Sequence, residues 1–149
     1  MKPTRTWVLI ADGARARILG HLGPGHGLTA LDGLTFNGDH SATHDLVSDR
    51  QGRSFSSVGP GRSAIEAHTD PHRDLKTKFA KRLAEVLTNG LEQNAYDRLV
   101  IVAAPATLGD LRAAITDRVR SKVVGEVAQD LTKIPNGEVA THLAHVLRT

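Results

Sequence analysis

The chain of 149 residues contains no cysteine. That absence excludes disulfides, thiolate metal sites and a cysteine nucleophile together, and it fits a reducing compartment. Aromatics are scarce at 3% of residues, so a core has to be built mainly from Val, Leu, Ile and Ala. Long hydrophobic runs are missing too. The start, "MKPTRTWVLIADGARAR", is apolar over only a few residues before Asp12. Such a run is too short for a signal peptide or a membrane span. The expectation is a cytoplasmic protein without membrane insertion. Strong charge is also lacking: the formal net charge is +3, which is not the profile of a dedicated nucleic-acid coat.

What is present suits one domain over residues 1–149, with a real core and no need of staples. The placement of charge says more than its total. Lys2, Arg5, Arg15 and Arg17 stand against Asp12 alone, and Arg73, Lys76, Lys78, Lys81 and Arg82 stand against Asp74. A fold that joins these two stretches would carry a basic face suited to phosphate, whereas separately they only solvate surfaces.

The apolar pattern predicts an order of elements. "TWVLIADG" (Thr6–Gly13) is a run of strand formers closed by Asp-Gly. "ARARILGHL" (Ala14–Leu22) alternates and reads as its hairpin partner. "LTALDGLTF" (Leu28–Phe36) reads as a third strand, with a possible bulge at Gly33. Regular pattern then vanishes across 37–69, a long loop expected to be mobile. A helix follows, with Asp70 as its cap, Pro71 in its first position and a stripe of Leu75, Phe79, Leu83, Val86 and Leu87. "DRLVIVAA" (Asp97–Ala104) reads as a strand buried on both faces. In "PATLGDLRAAI", Thr107 and Asp110 resemble a capping box. "SKVVGEVAQDL" (Ser121–Leu131) fits a strand or a helix extension, and its alternation favours the strand. "PNGEVATHLAHVL" reads as one closing helix with Val139, Leu143, Val146 and Leu147 inward. Together these describe an α/β domain with a mixed five-stranded sheet and helices on both faces. Its central strand would be Leu99–Ala104 or Val8–Ala11.

Several strings resemble a bacterial family of host attachment proteins, required for attachment to host cells. They are "WVLIADGARAR" (Trp7–Arg17), "DLVSDRQGRSF" (Asp45–Phe55), "TDPH" (Thr69–His72), "KFAKRLAEVL" (Lys78–Leu87), "DRLVIVAAPATLGDLR" (Asp97–Arg112) and "QDLT" (Gln129–Thr132). They keep one order over most of the chain. More distantly, the family is similar to the middle domain of archaeal and eukaryotic peptide-chain release factors, which implies an RNase H-like fold. In that domain a Gly-Gly-Gln loop before a long helix helps water attack the peptidyl-tRNA ester. Here "SVGPGRSAIEAH" (Ser57–His68) lies in the corresponding place. Gly61 and Ser63 match the pattern; Arg62 stands where the Gln would be. Arginine has five donors and no acceptor, so it cannot position a water as an amide carbonyl does.

The resemblance therefore implies a non-catalytic factor associated with RNA, tRNA or the ribosome, binding phosphate through Arg15, Arg17, Arg50, Arg53 and Arg62. Two alternatives stand beside it. One is a hydrolase acting on peptidyl-tRNA through the 57–68 loop, with Gly61, Arg62 and Ser63 as its weak candidate site. The other is a protein-interaction module that affects surface attachment indirectly. Metal and cofactor are not expected. The pairs His40/His44, His68/His72 and His142/His145 have helical spacing but no evident third ligand. Asp12, Asp97 and Asp130 are the carboxylates a two-metal nuclease would have to gather. "GPGHG" and "VGPGR" neither follow a strand nor open a helix as phosphate-binding fingerprints do. Trp7 and Tyr96 read as packing residues.

Overall fold

The apolar runs Thr6–Ala11 and Arg98–Ala103 form two strands, β1 and β4, that pair in parallel from Thr6↔Arg98 to Ala11↔Ala103. A computed structural model describes residues 4–23, 27–38 and 71–147. Among these, the remaining strands are β2 (Arg15–His21), β3 (Leu28–Asn37) and β5 (Val123–Val127). The helices are α1 (Pro71–Glu92), α2 (Pro105–Ala114), α3 (Asp117–Arg120), α4 (Asn136–His142) and α5 (Ala144–Leu147). The sheet runs β3-β2-β1-β4-β5, with β1 paired antiparallel to β2 and β2 antiparallel to β3. β4 and β5 are parallel, so the expected α/β domain with a mixed sheet is the observed one. The five strands are those of the described residues.

Alternation along β1 and β4 divides the core in two. Trp7, Leu9, Ala11, Leu99, Ile101 and Ala103 face one cluster, which α1, α2 and α3 cover through residues such as Phe79, Leu83, Leu111 and Val119. Val8, Ile10, Val100 and Val102 face the other, covered by Val139, Leu143 and Leu147. Both strands are sealed on both faces, as their continuous apolar runs require. The N-cap expected at Asp70 lies outside the described residues.

Three local expectations are corrected. Thr107 is not a cap: α2 begins at Pro105 behind Ala104, and Thr107 is buried within the first turn. Proline lacks an N–H and has a helical φ, so it defines the start before the capping pattern can act. β5 does not alternate regularly. Its register slips between Leu99↔Val123 and Val100↔Gly125, so Val124 bulges outward and is 54% exposed. Val123 therefore packs on the first cluster and Val127 on the second. The closing helix is interrupted at Leu143 (φ −111°, ψ 9°), which is itself buried. The bulge expected in β3 does occur. Arg17 pairs with Thr35 but Leu19 with Ala30, and Gly33 within the inserted stretch has φ +77°.

Close packing fixes Trp7. Its indole lies 4.7 Å from the Tyr96 ring, and a Cβ added at Gly90 of α1 would meet Trp7 Cη2 at 2.5 Å. In Gly90→Ala, overpacking costs about 1–3 kcal/mol and helix propensity returns at most about 1 kcal/mol. Urea denaturation should show a net loss. The Tyr96 hydroxyl donates to the Leu87 carbonyl at 2.7 Å, and burial pushes its pKa up to about 12. Above its ordinary pKa the unfolded chain loses this proton while the folded chain keeps it, so stability falls as pH rises from there toward 12. Tyr96→Phe should flatten that alkaline slope in unfolding titrations.

Candidate functional site

Parallel pairing brings the carboxyl ends of β1 and β4 side by side at Ala11 and Ala103. Ligands of open α/β sheets bind outside such ends. Asp12 is the first residue beyond β1. Its Oδ1 accepts the backbone N–H groups of Ala14 and Arg15, each at 2.7 Å, and this closes the turn into β2. Its Oδ2 lies 3.4 Å from Arg15 Nε and 3.4 Å from the Thr132 hydroxyl.

Thr132 joins this turn to the segment after β5. Its hydroxyl has one hydrogen, and the 2.5 Å approach to Asp130 Oδ1 shows where it goes. The Thr132 N–H donates to the same oxygen at 2.9 Å. The Thr132 hydroxyl chiefly, then its N–H, hold the Asp130 carboxyl below its usual range against an opposing effect of burial. Lys133 and Arg15 add to the lowering.

Arg17, two residues along β2 from Arg15, is tied to the same segment. Its Nη1 donates to the Thr132 carbonyl at 2.8 Å, and its Nη2 to those of Ile134 at 2.5 Å and Leu131 at 3.4 Å. Nε is buried without a hydrogen-bond partner. Burial lowers the pKa of this guanidinium, whose hydrogen bonds go to neutral carbonyls. Arg17 is thus a strut that holds the 131–134 turn against the sheet. The Arg15 side chain remains 54% exposed.

Two cations of α1 complete the edge. The Lys76 stem lies so close over the β1–β2 turn that a Cβ at Gly13 would meet its Cγ at 2.7 Å. Arg82 donates to the Asn37 carbonyl at 3.0 Å and lies 5.5 Å from the Phe36 ring centre. Asn37 pairs with Arg15, so Arg82 belongs to the same end of the sheet. Members of the two basic stretches therefore lie at the same end of the sheet, Arg15 and Arg17 on one face, Lys76 and Arg82 on the other. Arg73 instead forms an ion pair with Asp110. A cleft of about 90 Å³ opens beside Arg15, Arg17, Asn37 and Thr132. Gly38 N–H donates to the Ala14 carbonyl at 2.5 Å, so the described chain before residue 39 ends at this edge.

Of the residues singled out in the sequence, Arg15 and Arg17 come together, while Arg50, Arg53, Gly61, Arg62 and Ser63 lie outside the described residues. Asp12 and Asp130 converge through Thr132. Asp97 sits at the opposite end, ahead of β4, where the Arg5 backbone N–H first and then its side chain lower its pKa. The three carboxylates are not gathered. Among the described residues no group of three or more His, Asp or Glu could hold a metal. His142 and His145 are exposed and separated by the break at Leu143. Sequence reasoning missed Thr132, Lys76 and Arg82 as parts of one edge. Thr132 stands 120 positions from Asp12, and no local spacing signals that contact.

The molecule is thus a small α/β protein whose mixed sheet carries a cation-rich carboxyl edge. It belongs to the family described as "Protein required for attachment to host cells", whose pattern matches residues 7–143. No curated protein matches the chain in sequence. No helix among the described residues is long and apolar enough to cross a membrane.

The Arg17 strut makes a direct prediction. Arg17→Met leaves three carbonyls without this donor and should lower unfolding stability by about 2–4 kcal/mol. Arg17→Lys should recover only part of that, because one ammonium cannot span the same carbonyls as the guanidinium fork.

Proposed function

We propose that this protein is a non-catalytic RNA-associated factor that contacts phosphates at the carboxyl edge of its sheet. The observation that carries the reading is that this end of the sheet carries cations on both faces, Arg15 on one, Lys76 and Arg82 of α1 on the other. The nearby carboxylates keep their charge, and Asp12 Oδ2 lies 3.4 Å from Arg15 Nε, yet the Arg15 side chain stays 54% exposed. Asp12 is occupied by two backbone N–H groups, and Asp130 by Thr132. Arg15, Lys76 and Arg82 are all exposed and suited to direct contact, and Arg17 keeps the edge in place. Arginine suits phosphate because its fork pairs with two oxygens at once.

The distant likeness to release-factor middle domains suggests tRNA or the ribosome as the RNA, in the cytoplasm. Arg50, Arg53 and Arg62 belong to this reading as further phosphate contacts. The Arg62 substitution argues against peptide release by the 57–68 loop.

Sedimentation with ribosomes and with bulk tRNA, at low and moderate salt, tests the proposal. Binding should weaken steeply with salt. Arg15→Ala and Lys76→Ala should each weaken binding on all sequences alike, and each should reduce the log–log salt slope by about 1. A protein that stays in the soluble fraction at low salt, without salt-sensitive RNA binding, refutes it.

A further inference from the structure

We infer that a cleft at the opposite, amino end of β1 is a binding site for a small, neutral, largely apolar molecule about one ring in size. The cleft measures about 220 Å³, and Trp7, Gly20, Leu22, Leu31 and Ala95 line most of it. A cavity of about 150 Å³ already accommodates benzene, so the space admits a single ring with a small substituent.

Leu31 forms one wall of this space by packing over Gly20. Gly20 stands opposite Trp7 in the hairpin and Thr29 in the next pair, and it places no side chain on the sheet face between them. A Cβ there would come within 3.1 Å of Leu31 Cδ2. Ala95 contributes only a methyl group. Trp7 is held back from the cleft by its seat against Gly90 and Tyr96. Leu22 is 47% exposed at the mouth, one of only two large hydrophobic residues so exposed among those described. The other, Val124, lies at the β5 bulge, and Leu22 follows the end of β2 beside Gly23 (φ +124°).

Polarity at the rim selects the ligand. Thr29 lies on the same sheet face as Trp7 and offers a hydroxyl. Thr6 and His21 border the cleft but belong by strand alternation to the other face. Arg5 is the charged residue lining the rim, and it is already bound to Asp97 by its backbone N–H at 2.9 Å and its Nε at 3.4 Å. A carboxylate ligand would compete with Asp97 for this guanidinium and would lose its hydration against an apolar wall. A neutral hydroxyl- or carbonyl-bearing ring suits the site better.

Trp7 is the only tryptophan in the chain, so its emission reports this cleft alone. Titration with benzyl alcohol should change that emission saturably, and benzoate at neutral pH should bind at least about tenfold more weakly. Ala95→Leu fills the cleft and should weaken benzyl alcohol by about tenfold or more. Thr29→Phe, at an exposed position, blocks the cleft from the rim and gives the same outcome should Ala95→Leu fail to fold. The inference is overturned by emission that does not respond saturably, by benzoate binding as well as benzyl alcohol, or by a response that folded blocked variants retain. RNA binding at the other end of the sheet is a separate readout and should not change in these variants.

Discussion

The parallel pairing of β1 with β4 is the contact on which the rest of the structure depends. Each strand is sealed on both faces, so each contributes alternate side chains to two cores at once. Burying a Val, Leu or Ile stabilises by about 1.5–3 kcal/mol, and the two strands hold several such residues at zero exposure. The same pairing sets the polarity of the sheet. Because β1 and β4 run the same way, their carboxyl ends form one edge, and the turn at Asp12 must be made there.

That edge is held by hydrogen bonds rather than by apolar packing. Asp12 closes the turn, Thr132 caps Asp130, and Arg17 grips the carbonyls of the 131–134 turn. Arg15 and Lys76 stand at its surface, with Asp12 in ion-pair reach of Arg15. The opposite edge is built differently. There Trp7 packs on Tyr96 and Gly90, and Leu22, Leu31 and Ala95 line an apolar hollow beside it. The two ends of one sheet thus offer different chemistry, one suited to anions and the other to uncharged apolar groups.

Much of the fold was legible because its signals are local. The runs at Thr6–Ala11 and Arg98–Ala103 announce doubly buried strands, and the stripe through Phe79, Leu83 and Leu87 announces a helix. Gly33 marked its bulge. The errors share a physical origin. Pro105 overrode the Thr107 pattern as the helix start, the β4 register forced Val124 outward, and the closing helix broke at the buried Leu143. The candidate site was only partly legible. Arg15 and Arg17 drew attention by charge, but their different roles were invisible, since one ends in solvent and the other among carbonyls more than a hundred residues away.

The sequence by itself determined which segments are apolar, which turn, and that no thiol chemistry is available, because these follow from residue type and spacing over a few positions. Tertiary structure alone decided that the basic stretches near Arg15 and Lys76 share one end of the sheet, that Asp97 lies at the other end from Asp12, and that a hollow lies beside Trp7. The reason is register. Strand order and pairing place residues from opposite parts of the chain within a few ångströms, and no local pattern encodes that distance.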